Sequence, residues 1–255
     1  MKPQEQAKHW IERYSFILDT ETTGLEDDAE ACEISIITTE GEVLFDEIIK
    51  PSKPIGRTAM GIHGIRNMDI KDKAGIEAHA DVLRAFLENQ TIVVYNAAYD
   101  KRIIENTFKA AGLEPPKNVT WQCAMLAYAE WRGVRNPRRR GWRWHKLTDA
   151  MEHHGLAFSG MEHRALPDAK ATLQLMKLMA GGSSLSCLIN EKPRVHAAGL
   201  EGERSPEPTS AIDETPPLPP QAPPPEQDKI LGYPKWEWAI AAIILFGILI
   251  FILAG

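Results

Sequence analysis

Apolar residues recur with two periods along residues 10–180, and these periods predict a sheet surrounded by helices. Continuous or alternating apolar runs, the pattern of strands, occur at Ser15–Thr20, Glu33–Thr38, Val43–Lys50, Thr91–Asn96 and Val119–Cys123. Helical spacing predicts helices at Ile76–Glu88, Ala98–Ala111, Ala124–Trp131, Lys146–His154 and Pro167–Met179.

The order of these elements predicts the fold class. The second and third strands read as a hairpin that turns at Glu40-Gly41. Three strands in a meander, followed by strands that alternate with helices, indicate an α/β protein with a five-stranded mixed sheet flanked by helices. We therefore assign residues 1–180 to one domain.

The segment 181–235 has the composition of a linker. Ten prolines lie between Ser205 and Pro234, mixed with Ser, Glu and Asp. Such a segment buries too little apolar surface to order itself and favours extended polyproline II conformations. We expect a disordered spacer, although a proline-rich ligand for an SH3-type partner is an alternative.

The last residues, 236–255, predict a transmembrane tail anchor. Ala239–Gly255 is a run of 17 residues without a charge, and Trp236 and Trp238 precede it. A helix of about 20 apolar residues spans a bilayer, and tryptophan favours the membrane interface. The alternative is a buried core helix. The anchor would place the N-terminal domain on the cytoplasmic face of the membrane.

Charge and cysteine content exclude several function classes. The 255 residues contain 29 Lys and Arg against 35 Asp and Glu, a net charge of −6, so the whole chain is not a general polyanion binder. The three cysteines are far apart and show no Cys-x-x-Cys spacing. A disulfide framework and a zinc site are therefore not expected.

One segment carries a local excess of positive charge. Residues 132–146 contain seven Lys and Arg and no acidic residue, with Trp142 and Trp144 among them. Cations that pair with phosphates and indoles that stack on bases are typical of sequence-tolerant nucleic-acid binding, so we expect Arg138, Arg139, Arg140 and Trp142 to contact nucleic acid. A solvated loop whose tryptophans pack into the core, or a loop on anionic lipid, are the alternatives.

Four carboxylates carry the candidate chemistry. Asp19 and Glu21 follow an apolar strand and share one of its faces, because side chains at i and i+2 point the same way. Asp100 and Asp168 each lie in the predicted first turn of a helix, and His163 precedes Asp168 by five residues. Taken singly, the two helix residues are explained by the helix dipole. Taken together, the four suggest a shared site for Mg²⁺ or Mn²⁺, which could clamp a phosphodiester. His163 could accept a proton from water.

Three motifs in this order resemble the DEDDh family of DnaQ-like 3′–5′ exonucleases. They are "FILDTETTGL" (16–25), "VVYNAAYDKRII" (93–104) and "HRALPDAKAT" (163–172), and "GIHGIRNMDI" (61–70) resembles a further family segment in which Arg66 replaces the usual Thr. Tyr99 stands where the family often has Phe, which is a mild departure.

The resemblance implies a ribonuclease-H-like fold and two Mg²⁺ or Mn²⁺ ions. By resemblance, Asp19, Glu21 and Asp168 hold the first metal, Asp19 and Asp100 serve the second, and His163 is the general base. The residues implied to bind the substrate are Thr22, Thr23, Gly24, Ile62, His63 and Asn96.

The resemblance further implies hydrolysis of nucleic acid from a free 3′ end, with DNA favoured and a polymerase or repair protein as partner. An exoribonuclease of the oligoribonuclease or ribonuclease T type is the alternative within the class. A non-catalytic, membrane-anchored nucleic-acid-binding module is the alternative outside it.

Overall fold

The computed structural model describes residues 1–138 and 140–181, together with the backbone of two short strands, Lys229–Ile230 and Tyr233–Pro234, which pair antiparallel. The chain divides into two units, Met1–Pro193 and Arg194–Gly255. The first unit contains the predicted sheet, and the strand pair belongs to the second.

The five predicted strands are confirmed, and they form one mixed sheet. The order across the sheet is β3-β2-β1-β4-β5, in which β1 pairs antiparallel with β2 and parallel with β4. The predicted hairpin joins β2 to β3, and Gly41 takes a positive φ of 94° in its turn. The strands are β1 (Phe16–Thr22), β2 (Ala31–Ile37), β3 (Val43–Ile48), β4 (Thr91–Val94) and β5 (Thr120–Cys123).

All five predicted helices are also present, with small shifts at their ends. The predicted helix at residues 76–88 begins as a 3₁₀ turn, Ile76–Ala78, before the α-helix proper starts at Ala80. The described α-helices are α1 (Pro3–Glu12), α2 (Arg57–His63), α3 (Ala80–Leu87), α4 (Ala97–Ala110), α5 (Ala124–Arg132), α6 (Leu147–His153) and α7 (Ala165–Met179).

Two helices, α1 and α2, were not predicted from the sequence. In α1 only Pro3, Ala7 and Trp10 are buried, so the apolar period is too sparse to register, although the helix packs against α5 and α7. Helix α2 has seven residues, and it ends at Gly64, whose φ of 75° is a left-handed conformation that glycine adopts readily.

The two faces of the sheet are covered by different helices, and β1 contributes side chains to both. Ile17 packs in the apolar cluster that includes α1, α5 and α7. Leu18 packs in the cluster that includes α3 and α4. The alternation of a strand therefore directs Asp19 and Glu21 towards the α7 face, and Thr20 towards the α4 face. As a result, side chains from α7 can approach Asp19 and Glu21, whereas side chains from α4 can approach Thr20.

Several predictions fall on the part of the chain that is not described. Of the predicted linker at 181–235, only Gly181 and the strands Lys229–Ile230 and Tyr233–Pro234 are described. The tail anchor at 236–255 and Cys187 lie outside the described residues. Within the described residues, no helix is both long enough and apolar enough to cross a membrane. Cys32 and Cys123 are free thiols.

Candidate active site

Three of the predicted carboxylates meet at the carboxyl end of β1. Asp19 and Glu21 extend from β1, and Asp168 comes from the first turn of α7, the helix that covers this face. Each of the three offers an oxygen that lies within 4.8 Å of the other two. The end of β1 and the start of α7, which are far apart in the sequence, thus form one acidic group.

Asp100 approaches β1 from the opposite face of the sheet. It lies in the first turn of α4, only 5% exposed, and its Oδ1 accepts a hydrogen bond of 2.9 Å from the Thr20 hydroxyl. Thr20 stands between Asp19 and Glu21 on the strand. The four carboxylates therefore lie around the end of β1, on both of its faces. Asp100 is held there by Thr20, the residue between Asp19 and Glu21.

Burial raises the pKa of every carboxyl in this group, and repulsion from the other members adds to the rise for Asp19 and Glu21. Burial is the largest cause for Asp19, whose pKa lies well above its usual value, and the charge of Asp100 is the next. The pKa of Glu21 rises to about 8, first through burial and then through the charge of Asp168. Burial likewise raises the pKa values of Asp100 and Asp168 to about 7. The acidic group therefore favours bound protons or bound cations.

The residues present fit a divalent metal ion. Oxygen atoms are the ligands that Mg²⁺ and Mn²⁺ prefer, and the group has three converging carboxylates. The Oδ1 atom of Asp168 is buried and accepts no hydrogen bond from the described residues. A buried carboxylate oxygen without a donor is costly unless a cation or proton satisfies it. Asp19, Glu21 and Asp168 would thus hold one ion together.

His163 lies immediately before α7, where its side chain is exposed to solvent. Its backbone takes a positive φ of 58°, which is uncommon for a residue with a side chain. The backbone N–H of His163 offsets part of the rise in the pKa of Asp168. The imidazole is therefore accessible, and it lies on the segment that leads into Asp168.

A cavity of about 640 Å³ opens beside Glu21, and five of the predicted substrate-binding residues line it. Ile62 is half exposed on its wall, whereas Thr22 and Thr23 show only 7% and 5% of their surface. Pockets of this volume accommodate small ligands of nucleotide size. The five predicted residues that the cavity brings together are Thr22, Thr23, Gly24, Ile62 and His63.

The turn after β1 is fixed by hydrogen bonds to Tyr99 and Gly56, to which the sequence analysis assigned no role. The Tyr99 hydroxyl lies 2.8 Å from the Thr22 hydroxyl and donates to the Gly24 carbonyl at 2.9 Å. The Thr23 carbonyl accepts the Gly56 N–H at 2.8 Å. Tyr99 is therefore more than a mild replacement for Phe, because its hydroxyl holds the turn that lines the cavity.

His63 is buried in the cavity wall, and both of its ring nitrogens have protein partners. Nδ1 accepts the backbone N–H of Ile65 at 3.0 Å, which leaves Nε2 to donate to the Thr22 carbonyl at 3.2 Å. The ring nitrogens are therefore used to join α2 to the end of β1.

Asn96 is exposed at the start of α4, and its side chain makes no capping bond to the helix. It does not line the 640 Å³ cavity, but it directly follows Tyr95 at the carboxyl end of β4. It lies on that sheet edge, one helical turn before Asp100, and its contact with the substrate stays a prediction.

The positively charged segment forms a small hairpin, which we call the basic hairpin (residues 134–143). Arg135 pairs with Trp142 across it, and the Arg143 N–H donates to the Val134 carbonyl at 2.8 Å. Arg138 and Arg140 are exposed near its tip, and Arg139 lies outside the described residues. The Tyr95 hydroxyl donates to the His145 carbonyl at 2.8 Å, which joins the end of this segment to the sheet edge that carries the carboxylates.

The two tryptophans of this segment differ in availability. The Arg135 guanidinium lies 4.1 Å from the centre of the Trp142 ring, so a cation covers one face of the predicted stacking residue. Trp144 is 59% exposed. Trp144 is thus the more open surface for a base, although the sequence analysis selected Trp142.

A fifth carboxylate, Glu33, was missed by the sequence analysis. It stands opposite Glu21 on β2 and is 4% exposed. Both Arg164 and the backbone N–H of Ala165 donate to it. A single charged residue in the otherwise uncharged run "ACEISII" was the signal that could have revealed it.

Comparison with known proteins identifies relatives that are exonucleases. The sequence model of the exonuclease family RNase_T matches residues 16–176. The chain is similar to "Uncharacterized exonuclease CP81" of Escherichia phage 186, at 41% identity over 186 residues that cover 71% of this chain and 95% of the relative. It is also similar to "Exodeoxyribonuclease 10" of Escherichia coli strain K12, at 29% identity over 167 residues that cover 63% of this chain and 66% of the relative.

A solved structure supports the fold. The chain is similar to the nuclease domain of 3′hExo, described as a DEDDh family member bound to rAMP, with a TM-score of 0.53 and 14% identity. The match covers 68% of this chain and 94% of that one. At this identity the likeness concerns the fold alone, and it confirms the expected ribonuclease-H-like arrangement.

The raised pKa values predict that the metal-free protein loses stability as the pH rises. Asp168 binds its proton more tightly when folded than when unfolded, so its contribution is fully present below about pH 4 and is lost through about pH 7. Removing this charge by Asp168→Asn should therefore raise the thermal midpoint at about pH 8 in EDTA, by the equivalent of at least about 1 kcal/mol.

The matched control is Asp149→Asn, because Asp149 occupies the first turn of α6 but is exposed. That variant should be no more stable than the wild type, since it loses only a favourable helix-dipole interaction. Thermal unfolding followed by circular dichroism checks both. A lower midpoint for Asp168→Asn at about pH 8 would contradict the raised pKa of Asp168.

Proposed function

Because the chain belongs to the RNase_T exonuclease family, which matches residues 16–176, we propose that it removes nucleotides from the 3′ end of DNA in a reaction that requires two Mg²⁺ or Mn²⁺ ions. The products would be nucleoside 5′-monophosphates. The observation that carries the proposal is the group of three converging carboxylates at the edge of a cavity of nucleotide size.

The cavity supports the end of a nucleic-acid strand as the proposed substrate. Glu21 lies at one side of it, and the Thr22–Gly24 turn continues from Glu21 along its wall. Leu25 and Ile62 also line it, and their side chains are 75% and 51% exposed. Two open apolar side chains suit the faces of a terminal base. A terminal nucleotide in this cavity would place its phosphodiester at the carboxylates.

The acidic residues and His163 divide the chemistry between them. When bound, the cations would neutralise the phosphate and lower the pKa of the attacking water. The carboxylates of Asp19, Glu21 and Asp168 would hold the cation they share, while Asp100 would serve the second. His163 would accept the proton of the water as its oxygen bonds to phosphorus and the bond to the leaving 3′ oxygen breaks. Solvent would return a proton to that oxygen.

A DNA substrate is favoured by the relatives rather than by a base-reading feature. One relative is named "Exodeoxyribonuclease 10", and its similarity covers 63% of this chain. RNA is the alternative substrate, and the assay below separates the two. A polymerase or repair protein as partner stays a prediction.

The purified full-length chain should shorten 5′-labelled single-stranded DNA from its 3′ end when Mg²⁺ or Mn²⁺ is present, and EDTA should stop the reaction. Asp19→Asn should lower the rate at least about a thousandfold, because this residue serves both ions. His163→Ala should lower kcat about a hundredfold or more, with metal affinity largely retained. Gel resolution of the labelled products measures all three.

Matched oligonucleotides of DNA, RNA and DNA with a blocked 3′ end complete this experiment. Faster degradation of RNA than of DNA would replace the DNA proposal by the exoribonuclease one. Full activity of Asp19→Asn, or no metal-dependent cleavage of any oligonucleotide, would contradict the assignment of the site. Asp149→Asn is the matched control and should leave the rate unchanged.

We also propose that the basic hairpin binds the backbone of the strand whose end is being cleaved. Arg138 and Arg140 are exposed, and within residues 1–138 and 140–181 neither of them forms an ion pair. Their segment is joined to the sheet edge of the carboxylates by the Tyr95 hydroxyl. Uncompensated cations near the active site would attract the phosphates that follow the terminal one.

Replacing Arg138, Arg139 and Arg140 together by alanine should flatten the salt dependence of DNA binding. Each lost phosphate contact lowers the slope of log Kd against log salt concentration by about 0.7 for a single strand, so we expect a decrease of about 2. Binding is measured by fluorescence anisotropy in the Asp19→Asn background, which prevents cleavage.

The matched control for the hairpin replaces three exposed lysines on and after α4, Lys101, Lys109 and Lys117. These residues lie near acidic side chains, so their loss should change the slope by less than about 0.7. An equal decrease in both triple variants would show a general charge effect and would remove the hairpin from the binding surface.

Membrane attachment through residues 236–255 is a further part of the proposal, and it is supported by the sequence alone. The 17 uncharged residues Ala239–Gly255 have nearly the length of a membrane span, and tryptophans precede them. The exonuclease domain would then work at the cytoplasmic face of the membrane, at the end of the proline-rich segment.

The full chain should stay in the carbonate-washed membrane fraction of expressing cells, and Leu245→Arg with Ile248→Arg should release it. Each arginine at the centre of a span opposes insertion by about 3 kcal/mol. Leu218→Arg in the proline-rich segment is the matched control and should have no effect. Retention of the double-arginine variant in the membrane would refute the anchor.

A further inference from the structure

Glu33 is a buried carboxylate placed beside four others, and the proposed chemistry does not use it. Its Cα is paired in register with that of Glu21, and its side chain is 4% exposed. Its charge adds to the repulsion that raises the pKa values of Asp19, Glu21 and Asp168. A further negative charge at this place is unfavourable unless donors or positive charges compensate it.

The oxygens of Glu33 are occupied by donors from the segment between His163 and α7. Arg164 binds both of them through Nε, at 3.1 and 3.0 Å, and it binds Oε1 again through a terminal nitrogen. The Ala165 N–H donates to Oε2 at 2.9 Å. With its acceptors used in this way, Glu33 acts as an anchor for this segment.

The contact replaces a local helix cap. Arg164 is the N-cap residue of α7, and its side chain cannot accept the free N–H groups of the first turn. Glu33 accepts one of them from a neighbouring strand and brings a negative charge to the positive end of the helix dipole. The start of α7 is thereby fixed to β2, the strand next to the one that carries Asp19 and Glu21.

His163 directly precedes the residues that Glu33 binds, and its backbone conformation has to be held by its surroundings. Its φ of 58° is a conformation that a non-glycine residue keeps only when its surroundings impose it. On its carboxyl side the next two residues are bound by Glu33. Its own side chain is exposed, so no packing of the imidazole can supply the constraint.

We propose that the Glu33–Arg164 pair is the positioning element that holds His163 in the orientation its proton transfer requires. The pair does not contact the substrate and does not bind the metal; it acts through the backbone of residues 163–165. This inference rests on the proposed function, in which His163 accepts the proton of the attacking water.

Two variants test the pair in the full-length chain. Arg164→Lys keeps the charge but removes the fork of donors that binds both Glu33 oxygens. Glu33→Gln keeps an acceptor for Ala165 but removes the charge, and it carries the same test if Arg164→Lys fails to fold. Each should lower kcat about tenfold to a hundredfold, with KM changed less than about threefold. The Kd for Mn²⁺ should change less than about threefold in Arg164→Lys, which keeps every charge. Thermal unfolding verifies that each variant folds.

The matched controls are conservative changes in exposed ion pairs. Arg66→Lys alters the pair of Arg66 with Asp69, in which the arginine side chain is 63% exposed. Glu105→Gln alters the contacts of Glu105 with two lysines on α4. Both should leave kcat within about twofold of the wild type, because exposed pairs contribute little.

A double-mutant cycle distinguishes positioning of His163 from a general structural effect. In the His163→Ala background, Arg164→Lys should change kcat less than about threefold, because the residue through which the pair acts is already gone. An undiminished tenfold or larger loss in that background would overturn the proposal, and so would an unchanged kcat in the wild-type background.

A spectroscopic measurement makes the inference independent of activity. The imidazole NMR signal of His163, assigned by its absence in His163→Ala, should broaden or shift in Arg164→Lys and stay unchanged in Arg66→Lys. An unchanged signal in Arg164→Lys would overturn the positioning role. Absence of nuclease activity in the wild type would instead refute the proposed function, while the NMR comparison would still test the anchor.

Discussion

Repulsion between carboxylates at the carboxyl end of β1 is the constraint on which the rest of the structure depends. Asp19, Glu21 and Asp168 lie within 4.8 Å of one another, and Asp100 approaches from the other face of the same strand. The pKa of Glu21 is raised to about 8, which shows that burial and neighbouring charges disfavour ionisation. A fold that assembles such a group stores free energy that cations can release on binding.

Each acidic side chain is positioned by a particular strand or helix. The alternation of β1 sends Asp19 and Glu21 to one face, and α7 begins at that face with Asp168 in its first turn. Helix α4 begins at the other face with Asp100. The positive ends of two helix dipoles thus meet the acidic group, which partly compensates its charge. Glu33 and Arg164 add a pair that fixes the start of α7 without adding net charge.

Much of this arrangement could be predicted from the sequence because the signals are local. An apolar run followed by Asp19 and Glu21 marks a strand end, and the residues around Pro167 mark a helix start. The contacts between distant segments could not be predicted in the same way. The bond from Tyr99 to Gly24 and the bond from Arg164 to Glu33 join residues that are 75 and 131 positions apart. The short helix α2 and the sparsely apolar helix α1 were not predicted, because their apolar residues show no clear helical period.

Proton release on metal binding is the most direct measurement of whether cations replace protons in the acidic group. Calorimetric titration of the full-length chain with Mn²⁺ at about pH 7, in two buffers of different ionisation enthalpy, gives the number of protons released. Carboxyls with pKa values of about 7 to 8 should release on the order of one proton per chain, and the release should be smaller at about pH 9. Binding without proton release at about pH 7, or no binding, would contradict the account.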